Sequence, residues 1–358
     1  MTTPSIVAAR STNSQTQEIG GQDVVISYAG INAEYEALRA TAIVVDRSHR
    51  GRMSFIGEKA GQALTGLVTN DVLAMHQGHG QYGAALSAKG RIVADLRMFA
   101  LSGSYLVDGP ARAWSGWMSM VKKYVNPRIA GYRDDSHGLR DIGLFGPDAR
   151  RIVARVTGLE LDALAALPPY GHVAVAVSGH PVIVARAADI GSEGYDLFVP
   201  FEIFNDVRNQ AMVAGAAPAG LAAWEIARVE AGRPEWGVDI DESTLAQEAN
   251  LDDLDAISYT KGCYIGQEVV ARVHFRGHVN RHLRGLRAAS LEPPPTGSQL
   301  IDDAGTHVGE VRSAVASPRL GGLALGMVRR EVPVGTALNA KWENGERRVD
   351  VTPLPFPE

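Results

Sequence analysis

The stretch Lys261–Glu268 reads KGCYIGQE and holds the only cysteine among the 358 residues of the chain. Its two glycines allow a tight turn or the close approach of another group. The charge of Lys261, together with a helical turn starting at Gly266, would favour the thiolate form of Cys263. The residues alone allow two interpretations: a reactive site, or a buried and inert cysteine in a glycine-rich turn.

This octapeptide resembles K-G-C-[aromatic]-x-G-Q-E, the signature of the folate-binding YgfZ proteins. Those proteins are related to mitochondrial factors that help mature iron–sulfur proteins, and they share a superfamily with the T-protein, the aminomethyltransferase of the glycine cleavage system. The match has no gap and continues through residues 269–272 to Arg276-Gly277. The resemblance implies an α+β fold: T-protein-like folate-binding domains with antiparallel sheets and flanking helices, followed by a small C-terminal β-barrel.

The pattern of the chain changes near Arg281. Downstream of it, short strand-like segments alternate with Gly/Pro turns, and Asn344-Gly345 is a strong hairpin signal, which is typical of a small barrel. We expect a flexible N-terminal arm over residues 1–20, a folate-binding region over 21–280 that divides into two subdomains or forms one, and a barrel domain over 281–358.

Composition excludes several classes of protein. Hydrophobic residues make up 45% and charged residues 21%, which is typical of a globular protein with a sizeable core. The net charge of -5 argues against wholesale coating of nucleic acid. One cysteine excludes an intramolecular disulfide framework and an all-cysteine metal site within one chain. No apolar run is long enough to span a membrane. We therefore expect a cytoplasmic protein without a membrane partner.

Residues 80–96 predict two strands joined by a turn at positions 88–90. Alternation places Ala94 on an apolar face and Asp95 on the opposite face, where Arg91 or Arg97 is an alternative ion-pair partner. The segment resembles the folate-site hairpin of the superfamily, in which T-proteins carry paired aspartates, one of them implicated in catalysis. Here the pair reads Ala94-Asp95, so one acid is missing and aminomethyl transfer is disfavoured. The resemblance makes Asp95 a catalytic candidate and Tyr82 a folate contact.

Other folate contacts are implied by the same resemblance. Tyr195 and Asp196 occupy a segment similar to T-G-E-x-G-Y-E, whose last acid grips the pterin in relatives. Arg228 lies in an R-x-E-A-G-like run whose arginine contacts folate. Trp236 follows where relatives often place an aromatic residue, and Gln267 belongs to the octapeptide. The alternatives are an exposed strand-edge acid at Asp196 and a core side chain at Trp236.

Histidines at 274, 278 and 282 are four residues apart, but Gly277 argues against the continuous helix that would align them, so we expect no metal site. Five arginines between Arg272 and Arg287 form a basic run. This run could face the glutamate tail of folate or a partner, weak contact with RNA included. A solvated basic face is the alternative.

The leading hypothesis from the sequence is a tetrahydrofolate-binding YgfZ-like protein that supports assembly or repair of iron–sulfur clusters in client proteins, together with their assembly factors. Cys263 would act through its thiol, assisted by Lys261. The alternative is a tetrahydrofolate-dependent aminomethyltransferase or demethylase. A third interpretation is a binding module for folate or RNA without chemistry at the thiol. Because clusters normally need four ligands, one thiol cannot hold a stable cluster alone.

Overall fold

The structure is a computed structural model that describes residues 14–357. The N-terminal part contains β1 (Gln15–Ile19), β2 (Gln22–Ser27), α1 (Ile31–Ala40), β3 (Ile43–Asp46), β4 (Gly51–Ile56), α2 (Ala60–Thr65), β5 (Gly80–Leu86), β6 (Ile92–Leu101), β7 (Ser104–Gly109), α3 (Ala111–Tyr124) and β8 (Gly131–Asp134). The middle part contains β9 (Leu139–Phe145), α4 (Ala149–Thr157), α5 (Leu161–Ala165), β10 (His172–Val177), β11 (His180–Arg186), β12 (Gly194–Pro200), α6 (Phe204–Val213), β13 (Ala217–Pro218) and α7 (Leu221–Glu230). The C-terminal part contains α8 (Gln267–Arg276), β14 (Arg281–Ala288), β15 (Gln299–Ile301), β16 (His307–Ser317), β17 (Gly321–Arg329), β18 (Ala337–Trp342) and β19 (Gly345–Thr352).

Two sheets face the centre of the protein. One has five antiparallel strands in the order β5-β6-β7-β4-β8, and the other has six strands in the order β10-β11-β12-β9-β3-β13. All pairs of the second sheet are antiparallel except the short β13–β3 pair. The β3 run Ile43-Val44-Val45 is buried on both faces, as expected of a β-branched strand inside a covered sheet. The predicted hairpin of residues 80–96 forms as β5 and β6.

The C-terminal strands close into a six-stranded barrel in the order β14-β17-β16-β15-β18-β19. The Asn344-Gly345 turn joins β18 to β19, as its sequence predicts. The α+β fold with antiparallel sheets, flanking helices and a C-terminal barrel is therefore confirmed. The barrel packs on α7, where Ser317 of β16 donates a hydrogen bond to Glu230.

The arm predicted over residues 1–20 lies partly outside the described residues. Within them, β1 pairs antiparallel with β2. Gly20 occupies the turn between the two strands with φ +60°, a conformation that favours glycine. No helix in residues 14–357 has both the length and the apolar character needed to cross a membrane.

The helical turn expected at Gly266 is the start of α8, which ends at Arg276 just before Gly277. Gly266 has φ +86°, and a Cβ atom there would lie 2.6 Å from the backbone oxygen of Ser87 at the β5–β6 turn. Only glycine fits this position without strain. The octapeptide therefore packs against the tip of the β5–β6 hairpin.

Candidate functional site

A network of buried arginines and carboxylates joins the two sheets at the centre of the protein. Asp196 on β12 accepts a hydrogen bond from Arg47 at 2.8 Å and a second, shorter one from Arg97 on β6. Asp189 accepts from both arginines at 3.2 Å. Asp196 is 1% exposed, so all of its carboxylate bonding is internal. The acid expected to grip a pterin is thus engaged by two arginines.

Asp108 on β7 anchors the same network from the first sheet. Its Oδ1 atom accepts hydrogen bonds from the Nε atoms of Arg50 and Arg97, both at 2.8 Å. Burial alone would raise the pKa of Asp108, but the two arginines outweigh it and hold that pKa at about 2. Asp108 is therefore ionised at neutral pH and fixes Arg50 at the edge of the central cavity.

Asp95 faces this cavity from β6. Its Oδ2 atom accepts a hydrogen bond of 2.9 Å from the hydroxyl of Tyr82, while Oδ1 is buried without a partner among residues 14–357. Burial raises the pKa of Asp95, although the charge of Arg50 and the Tyr82 hydrogen bond act against that rise. Tyr82 also lies beneath the guanidinium of Arg233, 4.7 Å from its ring centre. A carboxyl group of this kind can exchange a proton with a bound molecule.

Ala94 points the other way. It is fully buried in the apolar cluster that includes Leu96, Met98 and Trp117. A carboxylate at this position would lie inside the core rather than in the cavity, because successive residues of a strand face opposite sides. The absence of an acid at Ala94 therefore removes nothing from the cavity wall.

The cavity opens into a cleft of about 260 Å³ between α7, the β1–β2 hairpin and the corner after β3. Its polar walls include Arg47, His49, Arg50, Arg112, Glu225 and Glu235. The inner end is a space of about 20 Å³ beside Tyr82 and Asp95, room for about one water molecule. Arg50, Trp224 and Glu235 line both spaces.

Three buried polar atoms on these walls have no hydrogen-bond partner within the described part of the chain: His49 Nδ1, Trp224 Nε1 and Asp95 Oδ1. Burial and the nearby charges of Arg50 and Arg47 lower the pKa of His49 to about 3, so its ring is neutral. Buried polar groups are normally paired. A neutral imidazole, an indole N–H and a carboxyl oxygen on the walls suit a flat heterocycle that carries alternating N–H and C=O groups.

Arg228 of α7 lines the small inner space, and its guanidinium is hydrogen-bonded to other parts of the protein. Its guanidinium donates to Asp239 at 2.7 Å, to Ser313 of the barrel at 2.8 Å and to Glu225. Ser313 in turn donates to Asp239 at 2.6 Å. Arg228 thus fastens α7 to the loop that follows it and to the barrel.

Two other side chains expected to contact folate, those of Tyr195 and Trp236, have hydrogen-bond partners within the protein. The Tyr195 hydroxyl donates to Glu193 at 2.9 Å and packs in the core of the second sheet. The indole of Trp236 lies between two apolar clusters and donates to the carbonyl of Ile92 at 3.3 Å. Gln267 is the first residue of α8.

The Lys261–Glu268 loop lies apart from the residues that line the two spaces. The amino group of Lys261 donates to the carbonyl oxygens of Thr65, Val68 and Asn70. Burial lowers the pKa of Lys261 to about 8. Cys263 is exposed. Lys261 therefore ties the loop to the N-terminal domain and leaves the thiol facing outward.

The three histidines separate as Gly277 suggests. His274 lies on α8 and stacks on Tyr259 with ring centres 3.7 Å apart, whereas His278 follows the end of the helix and His282 lies on β14.

Arg47, Arg50 and Glu235 are not among the functional residues predicted from the sequence. The signal was present for the first two, since arginines are unusual at the end of a buried strand such as β3. Glu235 gave no signal, because it stands near several other acids in a stretch that suggests only a solvated loop.

Comparison with known proteins places these observations in a family. Residues 8–257 match the family model described as the GCVT N-terminal domain, and residues 281–357 match the glycine cleavage T-protein C-terminal barrel domain. The chain is 29% identical over 356 residues to a protein named aminomethyltransferase from Rubrobacter xylanophilus, covering 99% of this chain and 93% of that relative. A protein of the same name from a Nostoc species is 28% identical over 314 residues, covering 84% and 80% of the two chains.

A solved structure has the same fold. The glycine cleavage system aminomethyltransferase T from Bartonella henselae superimposes with a TM-score of 0.87 at 21% identity, covering 96% of this chain and 94% of that one. The barrel match begins at Arg281, the residue at which the sequence pattern changes. The narrower resemblance to YgfZ proteins rests on the octapeptide. By its two domain matches, the chain belongs to the glycine cleavage T-protein family.

Proposed function

We propose that this protein is a tetrahydrofolate-dependent one-carbon transferase that moves an aminomethyl or methyl group between an amine donor and the folate. The observation that carries the proposal is the Asp95 carboxyl, which faces a central cavity, has a raised pKa and has one oxygen without a partner in residues 14–357. Aminomethyltransferases of this family use tetrahydrofolate, and the relatives named above carry the name aminomethyltransferase.

The cleft offers a place for the ring system of the folate. The unpaired atoms of His49, Trp224 and Asp95 would bond the N–H and C=O groups of a reduced pterin. A cleft of about 260 Å³ encloses a bicyclic ring and leaves the remainder of the ligand to extend outward, where Arg112 lies on the wall. Asp196 would reach the ring only if Arg47 or Arg97 moved, so we assign it to holding the arginines.

Within this proposal Asp95 moves the proton at the reacting nitrogen. The Tyr82 hydroxyl holds one carboxyl oxygen, which leaves the other free to accept or return a proton. Losing a positioned acid or base typically lowers a rate by about 10²- to 10⁴-fold. Asp95→Asn keeps the shape and the Tyr82 contact, so we expect folate binding to remain while kcat falls by at least about 100-fold.

The test is the reversible exchange of the one-carbon unit. Purified protein would be incubated with 5,10-methylenetetrahydrofolate, ammonium and dihydrolipoamide as a dithiol, and release of tetrahydrofolate would be followed by chromatography. A rate well above the enzyme-free background that falls in Asp95→Asn supports the proposal. The proposal would be overturned if the protein binds tetrahydrofolate but shows no such rate and also transfers no methyl group from N-methylamine donors.

A second candidate function rests on a separate observation, the exposed thiol of Cys263 on the loop held by Lys261. On this proposal the protein is a YgfZ-like factor that supports iron–sulfur client proteins, and folate binding serves that role. The loop is positioned by three hydrogen bonds to its lysine, and it presents a thiol to large partners rather than to the cleft.

Complementation separates the two candidates. The protein, wild type or Cys263→Ala, would be expressed in a host that lacks its own YgfZ-like gene, and the activity of an iron–sulfur tRNA-thiomethylating enzyme would be measured. Rescue by the wild type alone supports the second candidate. Equal rescue by both variants, or by neither, would count against a function of Cys263 in these clients.

A further inference from the structure

Glu235 is a second carboxyl group on the wall of the cavity beside Asp95. It lines both the outer cleft and the small inner space beside Asp95. Within residues 14–357 its carboxyl accepts no hydrogen bond from a side chain or from the backbone, in contrast to the neighbouring acids Asp108, Asp189 and Asp239. Glu235 therefore presents its acid group to whatever occupies the cavity.

The main chain of Glu235 is fixed although its side chain is not. Its backbone N–H donates to Asp239 Oδ2 at 3.0 Å, and its carbonyl accepts from the N–H of Asp239 at 2.9 Å. Asp239 is itself held by Arg228 and Ser313. The buried network around Arg228 thus sets the point from which the Glu235 carboxyl enters the cavity, which is the arrangement that a reacting group needs.

Asp95 and Glu235 form an electrostatic pair. Burial raises the pKa of Glu235 to about 7, and the negative charge of Asp95 adds to that rise while Arg50 acts against it. Asp95 differs because the Tyr82 hydroxyl donates to it and so stabilises its ionised form. When one of two neighbouring carboxyls ionises, the other keeps its proton. The two carboxyls therefore compete for a proton, and the Tyr82 hydrogen bond favours the ionised form at Asp95.

The proposed reaction needs two such groups. A donor X–CH2–NH2 that gives its carbon to the two nitrogens of the folate forms two C–N bonds and breaks its C–X and C–NH2 bonds. Two N–H protons leave the folate, and one proton each is gained by X and by the departing ammonia. The balance is redox-neutral and contains two proton transfers, so a single acid would have to serve twice.

We propose that Glu235 is a second catalytic acid of the cavity: its carboxyl protonates the departing amine and regains a proton from the second folate nitrogen, while the Asp95 carboxylate accepts the proton of the attacking folate nitrogen and passes it to X. This inference rests on the proposed transferase function. Glu235 reaches the cavity from the loop after α7, whereas Asp95 reaches it from β6.

The test uses Glu235→Gln, which keeps the size of the side chain, and Glu242→Gln as a matched control, because Glu242 is an exposed acid in the same loop. Both variants would be checked by thermal melting. Methylene release to ammonium and dihydrolipoamide would then be measured between pH 6 and 8. In this direction the Glu235 carboxylate acts as the base, so it is active above pH 7.

We expect the ratio of wild-type to Glu235→Gln rates to rise about tenfold in total from pH 6 to pH 8, mostly below pH 7, and to level off near 100-fold. The ammonia concentration affects both proteins equally and cancels in the ratio. Glu242→Gln should match the wild type throughout. Calorimetric titration with tetrahydrofolate at pH 7 in two buffers measures how many protons the protein takes up or releases on binding. This number should be a fraction of one for the wild type and smaller for Glu235→Gln.

The outcomes are distinct. If the wild type transfers the carbon and Glu235→Gln keeps the same rate and pH profile, this inference is wrong and the transferase function stands. If the wild type shows no transfer above background, the transferase function fails and the inference falls with it. A constant rate ratio across pH would assign Glu235 a structural effect and would also overturn its role as an acid.

Discussion

The amino group of Lys261 connects its loop to residues 65–70, and replacing this side chain tests how much the connection stabilises the protein. Its amino group donates to three carbonyl oxygens, of which the bond to Val68 is buried and those to Thr65 and Asn70 are partly buried. A hydrogen bond from a charged group contributes about 1.5–3 kcal/mol when its partner would otherwise be unsatisfied, and less where water can replace it. We therefore assign about 5 kcal/mol to the three bonds together.

Burial of the charge acts against these bonds. A pKa that falls from 10.5 to about 8 corresponds to about 3 kcal/mol of unfavourable burial at neutral pH. Lys261→Met removes both effects, so the net loss of unfolding free energy at pH 7 is about 2 kcal/mol. Because the folded pKa is the lower one, the unfavourable part is present below pH 8 and disappears as the pH rises towards 10.5. The advantage of the wild type over Lys261→Met should therefore grow between pH 8 and 10.

Urea unfolding followed by tryptophan fluorescence at pH 7 and pH 9.5 measures both parts. Lys122→Met is the matched control, since Lys122 is an exposed lysine on α3. We expect Lys261→Met to be less stable than this control at pH 7 and the difference to be larger at pH 9.5. Equal stability of the two variants at both pH values would refute the stabilising role of the three hydrogen bonds that Lys261 donates.

Three further predictions follow from other positions. Gly266→Ala should lower the free energy of unfolding by about 2 kcal/mol or more, because φ is +86° and the backbone of Ser87 blocks the Cβ atom. In the same urea titration Gly262→Ala should be near neutral, because a Cβ atom at Gly262 meets nothing within 4 Å. Ala94→Asp should destabilise by about 3 kcal/mol or more by burying an unpaired acid in an apolar cluster, and a thermal melt equal to that of the wild type would show that the position faces the cavity instead. Because the pKa of Asp108 falls to about 2 in the folded protein, its ionised form adds about 2 kcal/mol to the free energy of unfolding above pH 4, and this contribution is lost as the pH falls through 2. The difference in unfolding free energy between wild type and Asp108→Asn should therefore narrow over that pH range in urea titrations.

The fold could be predicted from the sequence where the signal is local. Strand alternation gave β5 and β6, and the Asn344-Gly345 turn gave the hairpin of the barrel. The octapeptide and the segments that resemble the superfamily gave the family. These signals depend on neighbouring residues, so one sequence is enough to detect them.

The centre of the protein could not be predicted, because its contacts join residues that are far apart in the chain. Arg47 and Asp196 are separated by 149 positions, and Lys261 and its carbonyl partners by more than 190. In the sequence Lys261 is close to Cys263, but its amino group donates hydrogen bonds to carbonyl oxygens of residues 65–70. Likewise Glu235 became visible as a candidate only when the fold placed it opposite Asp95.

Carbon-13 NMR tests most directly whether the cavity around Asp95 transfers a one-carbon unit. Protein would be mixed under argon with 5,10-[13C]methylenetetrahydrofolate, ammonium and dihydrolipoamide, with wild type, Asp95→Asn and no protein compared side by side. We expect that only the wild type moves the labelled carbon from the folate to an aminomethyl group on the thiol at a rate well above background. Equal rates in wild type, Asp95→Asn and the protein-free sample would contradict it.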